Sequence, residues 1–275
     1  MELRPMLDRS LDGFFKETND YTQLAQWIKA LGGAKFCHDF RFQSSRGDRF
    51  MVRSTLLHHA VSMKSNLHVR ALLDVGVWVD APDAHGYTAL HYLCGYNSTH
   101  RMVPASAELM AAVDKKLEML KEAGASLEVK GVRGETPLIV AAESVQNRYP
   151  CLRPLVQKLV DLRADTTVKN KYGQSMIHLT SYTNNVPLLK QLLDTDRLDI
   201  NHQDNEGYTA LFFANPACLS LLLQRGADMS ITANADRFPF DIGRWVENYQ
   251  QKVDIWETEW ACRWRTSHPL LPGSS

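Results

Sequence analysis

The pentapeptide Gly86-Tyr87-Thr88-Ala89-Leu90 shows how this chain is organised, because the same five letters, GYTAL, recur at Gly207 to Leu211. Three further segments are similar to it: RSTLLHHAV from Arg53, RGETPLIVAA from Arg133 and YGQSMIHLT from Tyr172. An identical pentapeptide within a series of looser copies is typical of an internal repeat, which has to be recognised before any other interpretation of the fold.

The repeating segment has one part of fixed length and one part of variable length. The fixed part runs from the Gly that ends one copy to the Thr that begins the next, and other residues replace the Gly or the Thr in some copies. The distance is 12 residues in four cases and 13 in the fifth. The pairs are Gly76 and Thr88, Gly124 and Thr136, Arg163 and Ser175, Gly226 and Phe238, and, with the longer step, Asp196 and Thr209. The fixed connector therefore sets the spacing of stacked layers, while the variable part holds a loop that can lengthen.

The fixed connector has the composition of a tight turn followed by a helix. A Gly stands two residues before the Thr or Ser in most copies, and Gly accommodates the positive φ that such turns require. The Thr or Ser suits a helix N-cap, and Pro137, directly after Thr136, suits the first helical position. Because a Leu-rich second helix follows, each copy predicts a turn, a helix, a loop and a helix.

These segments resemble the ankyrin repeat, whose core reads D-x-x-G-x-T-P-L-H-x-A-A and later L-L-x-x-G-A-D. The stretches from Asp83 to His91 and from Leu222 to Asp228 match it closely. The resemblance covers residues from about 50 to 240 and implies an all-α, ankyrin-type α-solenoid of about five helix-turn-helix repeats, joined by β-hairpin turns and closed by capping helices. The departures are Arg163 and Asp196 in place of Gly, and Ile139 and Phe212 in place of His.

The predicted organisation places the array at 51–233 between two capping segments. An N-terminal capping helix or degenerate repeat is expected in 1–50, where YTQLAQWIKALGG has apolar residues at helical spacing. A C-terminal capping repeat or helix is expected in 234–265, followed by a disordered tail at 266–275. The five repeats are placed at 51–82, 83–130, 131–169, 170–202 and 203–233, with an insertion at 95–112 before a lengthened helix in the second.

The composition limits the class of protein. The chain has 31 Lys plus Arg and 31 Asp plus Glu, so its formal net charge is zero, whereas a protein that coats duplex nucleic acid needs basic residues to displace counterions. The five Cys are scattered and form no CxxC pair, which favours a reducing compartment. No apolar run approaches the roughly 20 residues that cross a bilayer. We therefore expect an intracellular monomer, cytoplasmic and/or nuclear, that neither binds nucleic acid directly nor enters a membrane.

Two groups of residues could carry chemistry, namely His91 with Cys94 and the adjacent pair His58-His59. Two ligands do not make a zinc site, and no CxxC or HxxxH pair accompanies them. No P-loop, dinucleotide fingerprint or nucleophile elbow is present. The ankyrin resemblance implies instead that the His bonds to the Thr side chain and nearby backbone, with Cys94 buried. We expect no enzyme, cofactor or metal; a metal-binding or catalytic protein using His91 and Cys94 is the less favoured alternative.

The ankyrin resemblance also implies where a partner would bind, because in that family the hairpin tips and the exposed side of the first helix supply most contacts. Carried over by repeat position, the tip residues are His85, Tyr87, Arg133, Glu135, Tyr172, Gln174, Asn205 and Tyr208. Tyr and Arg suit an interface, although Tyr at these positions could instead pack on the neighbouring turn. Tyr96 and Arg101 join the set because they lie in the insertion, which stacking alone does not require.

One residue matches a modification pattern. Asn201, in Asp199-Ile200-Asn201 with Leu193 eight residues before it, resembles the acceptor of asparagine hydroxylation in some animal ankyrin proteins. Asn is also simply common at this hairpin position, and that alternative is the stronger one.

The expected function is that of a non-enzymatic protein–protein interaction module, an adaptor, scaffold or regulatory protein that binds its partner through the concave face of hairpins and helices. The alternatives are a transcriptional coregulator acting through a partner transcription factor and a host-directed effector. The partner itself is not identified by the sequence.

Overall fold

The computed structural model describes residues 21–30, 32–33, 54–62, 66–95, 107–147, 150–195 and 197–234. In these ranges the regular elements are helices, which confirms the all-α class predicted from the repeats. The α-helices are α1 (Tyr21–Ala30), α2 (Leu56–Ser62), α3 (Leu67–Asp74), α4 (Ala89–Leu93), α5 (Ala107–Glu122), α6 (Pro137–Asn147), α7 (Arg153–Asp161), α8 (Met176–Tyr182), α9 (Val186–Leu193), α10 (Ala210–Phe213) and α11 (Pro216–Gln224). None of them combines the length and the apolar character that a bilayer crossing demands.

The helices belong to two bodies, each built from neighbouring repeats. Of the described residues, those up to Ser144 together with Pro154–Ala164 form the first body, and Val145–Arg153 and those from Asp165 onward form the second. In the first body α2 packs against α3 and α4, and α5 packs against both α3 and α4. In the second, α8 packs against α9 and α10, and α9 packs against α11. Within each body, elements that are neighbours in sequence are therefore neighbours in space.

The helix predicted near the N-terminus is present as α1, which packs against α3 and buries Ile28 almost completely. The lengthened helix predicted after the insertion is present as α5, which spans 16 residues and buries Val113, Leu117 and Leu120. The expected C-terminal capping helix and tail lie beyond Asn234, outside the described residues.

The fixed connector forms a hairpin closed by the same hydrogen bond in four copies. The N–H of Asp83 donates to the carbonyl of Tyr87 over 2.8 Å, and the same bond closes the turns that begin at Gly131, Asn170 and Asp204. The predicted Gly residues, Gly86, Gly134, Gly173 and Gly207, have φ between 76° and 82°, which only Gly adopts without strain. In three copies the first residue is Asp or Asn, and its side-chain oxygen accepts two further backbone N–H groups of the turn.

Neighbouring hairpins in the same body are joined at their tips. In the first body the N–H of Val132 donates to the carbonyl of His85 over 2.8 Å. In the second body Asn205 donates to Tyr172 over 2.9 Å, and Asn234 donates to Glu206 over 3.1 Å. These sheet-like bonds satisfy backbone groups that would otherwise point into solvent, and they fix each tip relative to the next.

A His ring ties the first helix of a repeat to the connector of the following repeat. Nδ1 of His91 accepts from the N–H and the hydroxyl of Thr88, each over 3.0 Å, while Nε2 lies 3.2 Å from the carbonyl of Glu135. A carbonyl oxygen only accepts, so the proton of the neutral ring is on Nε2. His58 and His178 make the same pair of contacts, to Thr55 and Tyr87 and to Ser175 and Tyr208, which confirms the structural role that the resemblance implied.

Where the His is replaced, the N-cap hydroxyl loses its partner. Ile139 and Phe212 occupy the His position of the third and fifth repeats. In those repeats the hydroxyls of Thr136 and Thr209 are buried without a hydrogen-bond partner. A buried unsatisfied hydroxyl costs about 1–3 kcal/mol, so these two substitutions weaken their repeats locally without changing the connector.

Four of the five described second helices end in one shared geometry. After α3 the N–H of Gly76 donates to Leu73 and the next N–H to Leu72, which is the bond pair of a Schellman motif. The pattern recurs at Gly124, Arg163 and Gly226, all with positive φ. Arg163, which stands where the other three of these helices have Gly, has a φ of 68°. The helix therefore ends in the same way, but a residue with a side chain adopts the left-handed conformation.

We predict that Arg163→Gly stabilises the protein by about 0.5–1 kcal/mol, because relief of left-handed strain outweighs the greater chain entropy of unfolded Gly. The measurement is the free energy of unfolding from urea titration. The matched control is Gly124→Ala, at which an added Cβ meets nothing within 4 Å, so its change in stability reports backbone strain and unfolded-chain entropy without a steric clash. An Arg163→Gly protein less stable than wild type would contradict the assignment.

We also predict that His91 makes stability depend on pH. Burial lowers the pKa of His91 from 6.5 to about 4, so between these values the unfolded chain takes up a proton that the folded ring refuses. Stability is therefore fully present above pH 6.5 and is lost as pH falls through that window.

Between pH 7 and pH 5 the contribution of His91 amounts to about 2 kcal/mol. His91→Ile, which copies the residue at 139, should be less stable at pH 7 because Thr88 loses its acceptor, yet should lose less stability on acidification. Urea titrations of both proteins at the two pH values provide the measurement. An identical pH dependence in the two proteins would refute the prediction.

Candidate protein-interaction surface

His91 and Cys94, which were considered for chemistry, have structural roles. Both ring nitrogens of His91 are engaged in hydrogen bonds. Cys94 is fully buried, and burial raises the pKa of its thiol far above the usual value, which opposes the thiolate that metal binding or nucleophilic attack requires. Over the ranges that the structure describes, no group of three or more His, Cys, Asp or Glu side chains could hold a metal ion.

Two of the predicted contact residues, Tyr87 and Glu135, are buried. Tyr87 is 1% exposed and Glu135 is 2% exposed, and the Tyr87 hydroxyl donates to Oε2 of Glu135 over 3.0 Å. The Tyr87 ring lies against Gly131, where an added Cβ would stand 2.2 Å from Cε1 of the ring. Because each side chain is enclosed by the other and by the next connector, neither is available to a partner. The expectation of partner contact is corrected for both, since Tyr87 packs on the neighbouring turn.

The second copy of the pentapeptide places its Tyr differently. Tyr208 is half-buried, and its ring packs against Phe212 and Phe213 at centroid distances of 5.0 and 5.8 Å. The hydrogen bond from the N–H of Asn234 to Glu206 corresponds to the bond from Val132 to His85 in the first body. Ala233, the residue before Asn234, therefore occupies the position of Gly131. The Cβ of Ala233 excludes a ring from the position that Tyr87 takes. The residue in the next connector, rather than the pentapeptide itself, decides where the Tyr goes.

In the second body four exposed side chains lie together at two neighbouring tips. These are Lys171, Tyr172, Asn205 and Glu206, which we name the tip patch. Tyr172 is 52% exposed, and the Lys171 ammonium lies 4.6 Å from the centre of its ring. The Asn205 side-chain amide donates to the carbonyl of Lys171 over 3.1 Å, in addition to the backbone bond from Asn205 to Tyr172. Gln174, another predicted contact, is half-buried beside this patch.

The tips of the first body present a smaller exposed set. Arg133 is exposed, as predicted, and Val132 beside it is 70% exposed. His85 is half-buried. Trp78, which the sequence did not single out, is 56% exposed; its position in the fixed connector between Gly76 and Thr88 was a signal that could have identified it. Tyr96 and Arg101 lie outside the described residues.

Asn201, the residue with the modification pattern, holds the next connector in place. Its side-chain oxygen accepts the N–H of Asp228 over 2.8 Å. In the first body Asp80 does the same for the N–H of Ser126, with both carboxylate oxygens at 3.1 Å. Asn201 is thus half-buried and structurally engaged, and its modification stays a prediction.

Comparison with known proteins agrees with this geometry. Residues 145–233 match the family described as ankyrin repeats in three copies. The nuclear factor NF-kappa-B p105 subunit of Gallus gallus is 31% identical over 177 residues, which cover 64% of this chain and 16% of that protein. The B-cell lymphoma 3 protein homolog of Mus musculus is 30% identical over 154 residues, covering 54% of this chain and 31% of that protein. The chain therefore spans less than a third of these relatives' own length.

A solved structure supports the fold class. The crystal structure of the ankyrin repeat domain of Bcl-3, described as a unique member of the IkappaB protein family, matches with a TM-score of 0.55 over 86% of this chain and 91% of that one. At 24% identity this likeness concerns the fold alone. The family match, the sequence relatives and the shared fold agree with the repeated connector, and this chain is an ankyrin-repeat protein, a member of a class whose repeats serve as protein-interaction modules.

Proposed function

We propose that this protein acts without catalysis and binds a partner protein through its exposed hairpin tips, with the tip patch as the principal contact. The observation that carries the proposal is the exposure of Tyr172 on a connector whose backbone is already fixed. A tyrosine offers a large contact area with few rotatable bonds, and a rigid backbone loses little entropy on binding. Both properties favour recognition.

The charges of the tip patch support a polar partner surface. Lys171 and Glu206 carry opposite charges on adjacent tips, and the side-chain amide of Asn205 lies between the two connectors. Opposite charges at fixed positions restrict the orientation of a partner more than they add affinity. The exposed Arg133 and Val132 offer a second, separate contact in the first body.

For the kind of partner, we propose a transcription factor, which would make this protein an intracellular regulator or coregulator. This finer proposal rests on the sequence relatives, one of which is a subunit of nuclear factor NF-kappa-B. A zero net charge is consistent with a regulator that reaches nucleic acid only through the bound factor.

Tyr172→Ala in the full chain tests the tip patch. We expect partners captured from a native lysate to decrease by about tenfold or more, because truncating a central aromatic contact costs at least 1–2 kcal/mol. The matched control is Tyr182→Ala, a tyrosine of similar exposure, 48%, at the C-terminal end of α8, whereas Tyr172 lies in the connector before this helix. The measurement is quantitative mass spectrometry of captured proteins, with thermal unfolding to show that both variants remain folded.

The tip patch and the proposed class of partner are contradicted by different results. If the captured partners are equally abundant with wild type and Tyr172→Ala, the tip patch is not the contact surface. If the partners depend on Tyr172 but none of them is a transcription factor, the interaction module stands and the proposed class of partner is wrong.

A further inference from the structure

A groove on the first body lies apart from the hairpin tips, between the second helices of two neighbouring repeats. It is formed by α5 and by the end of α7, encloses about 360 Å³ and has Leu117 and Leu162 among its lining residues. Leu117 is buried, whereas Leu162 is 42% exposed. Charged side chains surround these two leucines. The groove therefore combines an apolar floor with a charged rim.

The rim is dominated by carboxylates of α5. Asp114, Glu118 and Glu122 lie at intervals of four residues, and so on one face of the helix. Asp161 adds a fourth carboxylate from α7, against the two ammonium groups of Lys121 and Lys158. The lining therefore has two more negative than positive groups.

The carboxylates of α5 are incompletely paired. Asp114 uses Oδ2 for an ion pair with Lys158 at 2.7 Å, while its Oδ1 is buried without a hydrogen-bond partner. Among the described residues, Glu118 and Glu122 have no ion pair or hydrogen bond through their side chains. A buried carboxylate oxygen without a donor is unfavourable, so the groove has acceptors that lack a cationic donor.

The arrangement is also unfavourable for the helix itself. Like charges four residues apart repel, and Glu122 stands at the C-terminal end of α5, where the helix dipole disfavours negative charge. The other repeats do not share this feature. At the position of Glu118, six residues before the helix-ending Gly or its replacement, they have Arg70, Gln157, Lys190 and Ser220. The acidic stripe is thus a local exception, and the described packing compensates it only at Asp114, through Lys158.

We propose that this groove binds an arginine-containing segment of a partner protein, independently of the tip patch. The planar guanidinium can donate to the exposed carboxylates of Glu118 and Glu122, and its aliphatic stem fits the apolar floor at Leu117 and Leu162. A bare metal ion is a poorer occupant, because no cluster of three suitable ligands exists in the described residues. The excess of carboxylates over ammonium groups on the rim selects a basic peptide.

The test is a titration of the full chain, labelled with nitrogen-15, with the peptide acetyl-Leu-Arg-Arg-Leu-amide. We expect saturable shifts of the amide signals of residues 114–122 and 158–162. The same peptide with citrulline in place of arginine should leave these signals unchanged, since citrulline keeps the shape and loses the charge. Absence of saturable shifts with the arginine peptide would overturn the proposal.

The double variant Glu118→Gln/Glu122→Gln should weaken peptide binding by about tenfold while its melting temperature is unchanged or higher, because the like-charge repulsion is removed. The matched control is Asp74→Asn, an acidic residue of another second helix that pairs with Arg70 at 3.2 Å, and it should bind the peptide as wild type does. Equal binding by wild type and the double variant would refute the role of the carboxylates.

Two further measurements separate the other occupants. If the full chain binds the peptide only after Arg263→Gln/Arg265→Gln, the groove is occupied by the chain's own C-terminal segment. If the free protein is a dimer and Glu118→Gln/Glu122→Gln dissociates it, the groove is occupied by a second copy. Either result overturns the partner assignment. Tyr172→Ala should bind the peptide normally, so failure of the tip patch and failure of the groove can be told apart.

Discussion

Backbone hydrogen bonding in the connector is the constraint on which the rest of each repeat depends. A turn that leads directly into a helix leaves many N–H and carbonyl groups without helical partners, and each must be satisfied locally. The chain meets this demand with an Asp or Asn at the start of the turn, a Gly of positive φ, a Thr or Ser cap and a His ring that reaches the next connector. Because all four devices act over fixed distances, the connector keeps its length while the loops between helices vary.

The same constraint explains why the fold could be predicted from the sequence. Turn and cap residues are short-range signals, and their fixed step indicated stacked two-helix units before any packing was known. The hydrogen-bonding role of His91 followed from the ankyrin resemblance, and the unpaired hydroxyl of Thr136 follows from Ile139 in the same way. Arg163, which replaces the helix-ending Gly, keeps the same hydrogen bonds at the end of the helix, although its φ is unfavourable for a residue with a side chain.

The candidate contact surface was only partly predictable, because exposure depends on the adjacent repeat. Tyr87 and Tyr208 have identical flanking residues, yet one is enclosed and the other half-buried, and the difference lies at Gly131 and Ala233. Tyr172 and Arg133 are exposed, as the tip position implied. The groove beside α5 was not foreseen, since its walls come from residues about forty positions apart and its acidic stripe has meaning only when Lys158 and Leu162 are seen facing it.

The contact between Tyr87 and Gly131 also bears on how the chain avoids misassembly. Gly131 lacks the side-chain oxygen that Asp83, Asn170 and Asp204 use to brace their turns, so its hairpin is braced from outside by the ring and hydroxyl of the preceding repeat. That ring fits only over a residue without a Cβ. Two repeats that begin with the same five letters are therefore not interchangeable, and a nascent chain that stacked the first copy of GYTAL on the wrong successor would meet a steric clash. A shape mismatch thus enforces the order that the duplicated sequence alone leaves ambiguous.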